Sequence, residues 1–194
     1  MKPICFMGNI GCGKSTWASK LSTKGYHVAF EDLSLIKYLE KYWETGAYSF
    51  HTQIEFYATW LDLYYSAIKE NGVSIIDSSI ISHHMVFSEY MKKNKLITED
   101  EFVVCCQLYS AISKLVDYNT VYLFCNIEEL HHRTTVRNRT LEPHQRDFLK
   151  EINCMFENLV EELKIPTIDI SNLSPSNDKD CITFENQLKE CGVI

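Results

Sequence analysis

Gly8-Asn9-Ile10-Gly11-Cys12-Gly13-Lys14-Ser15-Thr16 gathers three glycines, a lysine and two hydroxyls into nine residues directly after the apolar run "PICFM". The spacing Gly8-x-x-x-x-Gly13-Lys14-Ser15 satisfies the phosphate-loop pattern G-x-x-x-x-G-K-[ST]. Glycines let successive backbone N–H groups converge on phosphate oxygens, and a helix beginning there turns its positive end toward them. Lys14 is then expected to bridge the β- and γ-phosphates of ATP, and the Ser15 hydroxyl to coordinate Mg²⁺. Three classes use such a loop: GTPases, motor-type ATPases and small-molecule kinases. The chain has no N-K-x-D guanine-reading motif, and 194 residues are few for a motor. A kinase needs a carboxylate near the acceptor hydroxyl, an acidic group near the metal, and arginines over the moving phosphoryl. Glu31, Asp77 and the group Arg133, Arg137 and Arg139 supply all three.

These residues need a scaffold that brings them together. Five compact apolar or β-branched runs read as strands: 3–7, 27–30, 73–76, 120–125 and 166–170. None alternates cleanly with polar residues, as expected for strands covered on both faces. Helical spacing fills 14–23, 34–45, 50–70, 83–94, 99–117, 128–138 and 143–164. The alternation predicts an α/β fold with a five-stranded parallel sheet and helices on both faces. Glu31 and Asp77 each follow an apolar strand, and open α/β sheets bind ligands beyond the carboxyl ends of their strands. One domain is expected over 1–194, with an arginine-rich lid at about 133–146 and a polar tail over 171–194.

Composition narrows the classes further. A formal charge of −7 argues against a protein living on nucleic-acid backbone, although it leaves room for a single nucleotide. The eight cysteines form no C-x-x-C, and Cys105 and Cys106 adjoin within a helical stretch. Reduced, mostly buried thiols and a cytoplasmic location are the expectation. "ICFM" is too short for the apolar core of a secretory signal, and no run approaches the ~20 residues of a membrane span.

Residues 3–165 resemble the deoxynucleoside kinases, the family of mitochondrial thymidine kinase, deoxycytidine and deoxyguanosine kinases and related insect, bacterial and viral enzymes. In "HVAFED", Glu31 matches the family's general base on the 5′-hydroxyl. Tyr42 and Gln53, eleven residues apart, match a tyrosine touching the sugar 3′-hydroxyl and a glutamine reading the base edge. "IIDSSI" resembles the family's acidic-arginine-serine motif, which implies Asp77 near Mg²⁺. "RTTVRNRTLE" matches the lid pattern R-x-x-x-R-x-R-x-x-E. It implies Arg133, Arg137 and Arg139 on the phosphates, and Glu142 partnering Tyr42. The resemblance further implies a P-loop kinase fold, Phe56, Trp60, His83 and Phe87 around the base, ATP and Mg²⁺ as cofactors, a deoxynucleoside substrate and a homodimer.

The chain departs from the pattern at three points. Ser78 stands where the family carries an arginine that helps hold the base and contacts phosphate, and a serine supplies neither charge nor fork. Compensation by His83 or His84, a differently held phosphoryl group, and low activity all follow as possibilities. Trp60 and His83 replace the residue pairs that distinguish purine from pyrimidine relatives. A tryptophan in the pocket would make it small, which leans toward a pyrimidine such as thymidine; the competing reading makes Trp60 a core residue of a long amphipathic helix. Ile36 stands where relatives usually have tryptophan. Two rivals accompany the deoxynucleoside kinase reading: a thymidylate-type monophosphate kinase, and a P-loop module that binds a nucleotide without transferring anything.

Overall fold

The computed structural model describes residues 1–137 and 145–194. Its strands are β1 (Ile4–Met7), β2 (His27–Ala29), β3 (Ser74–Ile76), β4 (Asn119–Phe124) and β5 (Thr167–Asp169). They form one parallel sheet in the order β2-β3-β1-β4-β5. The helices are α1 (Lys14–Ser22), α2 (Leu39–Thr45), α3 (Ser49–Ala67), α4 (Glu89–Lys93), α5 (Glu99–Ser113), α6 (Ile127–Arg137), α7 (Arg146–Leu163) and α8 (Asp178–Glu190). A 3₁₀ turn, Leu33–Leu35, and a π-helical stretch, Ser82–Ser88, complete the described elements.

The strands are short, and every residue of β1 and β3 is buried. Their side chains still sort by the period of two. Ile4 and Phe6 of β1 join Trp17, Ala18 and Leu21 of α1 and Phe184 and Leu188 of α8 on one face. Cys5, with Ala29 and Ile76, meets Tyr57, Trp60 and Tyr64 of α3 and Cys105 of α5 on the other. Met7 and Tyr122 pack there against Ile152, Phe156 and Leu159 of α7. The five expected strands are present to within a residue or two at each end. All eight cysteines are free thiols, and five of them are buried. Among the described residues no helix is long and apolar enough to cross a membrane.

Three expectations are refined. The stretch 34–45 divides into the 3₁₀ turn and α2, and 83–94 divides into the π-helix and α4. The polar end of the chain is more than a tail: Asn177 caps α8 by accepting from the Lys179 N–H. Cys181, Phe184 and Leu188 then line one buried face of that helix. Their spacing of three and four residues is the amphipathic signal, and the capping polar residues before them masked it. The Phe184 ring stacks on Trp17 with centroids 4.3 Å apart, so α8 braces the helix that follows the glycine loop.

Because the strands run parallel and in register, their carboxyl ends share one edge. Ala29 is level with Ile76, and Cys5 with Ile76. The glycine loop after β1, Glu31 after β2 and Asp77 after β3 therefore emerge side by side.

Candidate active site

The glycine loop is built to stay open. Gly13 precedes α1 with φ +108°, and Gly11 has φ +80°, conformations that side chains rarely adopt. A Cβ at Gly8 would lie 2.7 Å from Cys12 Sγ and 2.8 Å from the Leu123 carbonyl, so only glycine fits there. The first turn of α1 carries no acidic residue, which leaves its positive end uncompensated. Lys14 Nζ donates to the carbonyls of Gly8 (2.8 Å) and Asn9 (3.0 Å). The Asn9 side chain turns inward to the Leu149 carbonyl (2.8 Å) and ties the loop to α7, while Cys12 is buried in the core. Ile10 lines the cavity beside the loop, and Ser15 and Thr16 are exposed at the start of α1. Arg133 of α6 reaches the loop from above: its Nη1 donates to the Cys12 carbonyl (2.6 Å), and its Nε to Glu129 (2.7 Å). Arg137 lines the same cavity. Arg139 and Glu142 lie outside the described residues.

Opposite the loop stand the two acids. The Glu31 N–H donates to Asp77 Oδ1 at 2.6 Å, which joins the ends of β2 and β3. His83 Nε2 lies 3.1 Å from Glu31 Oε1. Burial works against the Glu31 charge, but the hydrogen bond and charge of His83, with Lys14 and the nearby Ser78, outweigh it and lower the carboxyl's pKa. Asp77 goes the other way: burial raises its pKa, with Glu31 adding repulsion, against opposing contributions from neighbouring Ser15, the Glu31 N–H and Lys14. Two carboxylates of different proton affinity thus face one cavity. Among the described residues, the buried hydroxyls of Ser79 and Ser82 find no hydrogen-bond partner, and both residues line that cavity with Ser78. Buried hydroxyls of this kind are satisfied by ligand or water.

The remaining wall comes from α2, α3 and the π-helix. Tyr42, Gln53, Phe56, His83 and Phe87, which the resemblance assigns to the substrate, all line the cavity. The rings of Phe56 and His83 stack at 4.8 Å. Burial, with Tyr90 adding to it, raises the Tyr42 pKa, so its hydroxyl stays protonated and can donate.

Trp60 requires a correction. It is fully buried, donates its indole N–H to the Ser78 carbonyl (3.4 Å) and packs against Tyr64 and Tyr118. It is absent from the cavity lining, because its position on α3 faces the sheet. Leu33, Leu39, Trp43, Met91 and Phe148 line the cavity without having been singled out. Leu39 and Trp43 sit four apart on α2, a spacing that signals one face but not which cavity it meets. Met91 and Phe148 come from distant elements that no local pattern links.

A family model described as deoxynucleoside kinase matches residues 4–190. No curated protein matches the chain. Among solved structures, deoxyadenosine kinase from M. mycoides with bound dCTP is similar, with a TM-score of 0.80 at 17% identity, over 97% of this chain and 99% of that one. The same enzyme with products dCMP and a flexible dCDP bound gives 0.79 at 18%, over 97% and 99%. With dATP bound it gives 0.79 at 17%, over 97% and 100%. Such identities speak for a common fold, and the family match extends through the glycine loop, both acids and the lid segment. On that match, the chain belongs to the deoxynucleoside kinase family.

Proposed function

We propose that this chain transfers the γ-phosphoryl group of ATP to the 5′-hydroxyl of a deoxynucleoside. The observation that carries the reading is the Glu31 carboxylate, bonded to His83 and facing the cavity that Lys14 and the glycine loop also line. An ionised carboxylate there can take the 5′-hydroxyl proton as the bond to phosphorus forms. Lys14, the α1 end, Arg133, Arg137 and Arg139 would spread over the phosphates, where developing charge is stabilised. Gln53 would read the base, and Tyr42 with Glu142 the 3′-hydroxyl. Ser15 and Asp77 offer hard oxygen donors side by side, a set that fits Mg²⁺. When bound, Mg²⁺ neutralises phosphate charge and relieves the crowding of the two acids.

His83 fits the compensation that Ser78 demands. A nucleotide-binding module without transfer chemistry has no use for a carboxylate held ionised beside a histidine, and a monophosphate acceptor would want an arginine that Ser78 does not supply. The lean toward a pyrimidine loses its support in size, since it rested on Trp60 in the pocket wall.

A homodimer is proposed from exposed apolar side chains: Val104 and Leu108 on one face of α5, and Tyr65 and Ile68 at the end of neighbouring α3. Light scattering of Leu108→Asp against the parent chain tests it, and an unchanged mass removes it. A cytoplasmic location is proposed on the eight free thiols, and fractionation tests it.

The test of function is purified chain with ATP, Mg²⁺ and each of the four deoxynucleosides, with the monophosphates in parallel. Phosphorylation of at least one deoxynucleoside, ahead of every monophosphate, is the expected result. Transfer to monophosphates alone, or ATP binding with no transfer, contradicts the proposal.

A further inference from the structure

The π-helix makes contacts that the phosphoryl-transfer reading does not use. Ser88 is wholly buried, and its Oγ sits among three groups: the Tyr57 hydroxyl (2.9 Å), Gln53 Oε1 (3.2 Å) and the His83 carbonyl (3.0 Å). The Tyr57 hydroxyl also lies 2.8 Å from His84 Nδ1. The five-residue step from His83 to Ser88 is that of a π-turn, which folds the Ser88 hydroxyl back under the His83 carbonyl. An ordinary α-helical step would not superimpose residues five apart. One segment therefore sends His83 to Glu31, His84 to the opposite side against Tyr57, and Ser88 to Gln53.

These groups constrain one another. Tyr57, His84 and Ser88 are at most 5% exposed and absent from the cavity lining, so these groups depend on one another, while Gln53 links them to the cavity. Burial keeps the His84 pKa down at about 4, which makes it a neutral hydrogen-bond partner near pH 7. With Ser88 giving its one proton to Gln53 Oε1, Tyr57 donates to Ser88 Oγ and the His84 Nδ1–H to Tyr57, an order in which each hydroxyl proton is used once. An amide anchored at one end in such a chain cannot turn over freely. Gln53 then offers the cavity one order of donor and acceptor.

We propose that Ser88, steadied by Tyr57, fixes the Gln53 amide so that the site selects deoxynucleosides by hydrogen-bonding edge rather than by size. The inference rests on the deoxynucleoside kinase reading and deepens it. Adenine and cytosine present an amino donor beside a ring-nitrogen acceptor; thymine and guanine present a carbonyl acceptor beside a ring N–H. A fixed amide matches one order and meets the other donor to donor, which leaves buried groups unpaired. That mismatch is worth about tenfold to a hundredfold in affinity. Trp60 is in the core, so the indole sets no size limit on the cavity that Gln53 lines.

The test is kcat/KM for the four deoxynucleosides, measured on the parent chain and on Ser88→Ala, Ser88→Thr and Tyr57→Phe. In the parent, the two amino bases are expected to fall together, and about tenfold or more from the two keto bases. Ser88→Ala and Tyr57→Phe should shrink that gap to about threefold or less, and Ser88→Thr, which keeps the hydroxyl, should restore it. A parent that ranks purines against pyrimidines overturns the inference. So does a Ser88→Ala in which all four values fall together with the gap intact, the mark of a purely structural role. Should Ser88→Ala fail to fold by thermal melting, Tyr57→Phe decides alone. A parent that phosphorylates no deoxynucleoside removes the kinase reading itself, a different result from a working kinase whose gap survives both substitutions.

Discussion

Where the family carries a guanidinium next to its general base, this chain has a hydroxyl at Ser78 and an imidazole 3.1 Å from the Glu31 carboxylate. The imidazole reaches Glu31 from the π-helix rather than from the strand end, and Phe56 holds its ring by stacking. On the proposed mechanism, His83 acts as a positioning residue that keeps Glu31 aimed and ionised. His83→Ala should lower kcat about tenfold to a hundredfold, less than the ~10²–10⁴ that a general base itself contributes. KM for ATP should hardly move, since His83 does not touch the loop. Ser78→Arg should lower activity as well: Ser78 is 3% exposed, and a guanidinium there would compete with His83 for one carboxylate. If Ser78→Arg raised turnover while His83→Ala left it unchanged, the histidine would have no part in the mechanism. Ser78 was legible in the sequence as a gap in a motif. What makes up for it was left open between His83, His84, a differently held phosphoryl group and low activity, because the choice depends on a helical phase that periodicity does not register.

The π-helix decides that phase, and so belongs to the scale of elements. An α-helical reading of 83–94 assumes 3.6 residues per turn, and the wider π-turn shifts the phase of every residue after it; His83 reaches Glu31 while His84 packs on Tyr57 and Tyr109. His84 stacks on Tyr109, bonds to Tyr57 and is buried, and its pKa falls from 6.5 to about 4. In the unfolded chain this histidine takes up a proton near 6.5, whereas in the folded chain it resists until about 4. The unfolded state binds more protons over that window, so stability falls as pH drops from about 6.5 to 4 and is fully present above it. His84→Gln removes this contribution. Its melting temperature should therefore decline less between pH 7 and 5 than that of the parent, and parallel declines would count against the buried, neutral imidazole. Strand runs and the glycine loop were legible because both are local patterns with one physical meaning. The second half of the cavity wall, Met91 and Phe148, was not, since long-range packing brings it there. Trp60 was ambiguous for a related reason: an aromatic on a long helix suits a core and a pocket equally, and only the facing sheet decides.

At the scale of the whole molecule, the site is one edge of one sheet. Parallel strands in the order β2-β3-β1-β4-β5 bring a phosphate loop and two carboxylates from three separate segments to the same rim. The helices stabilise that rim from both faces, with α8 bracing α1 through Phe184 and Trp17. What the rim does depends on Glu31, whose alternative role is a carboxylate near the start of a helical segment, worth under ~1 kcal/mol of stability. A general base is worth far more in rate. Glu31→Gln keeps the shape and removes the base, so the most direct measurement compares its phosphoryl transfer with the parent's at saturating ATP, Mg²⁺ and the preferred deoxynucleoside. The account predicts a folded variant with near-normal binding of ATP and nucleoside and a kcat lower by at least about a hundredfold. Transfer at near the parent rate in a folded Glu31→Gln chain would contradict it.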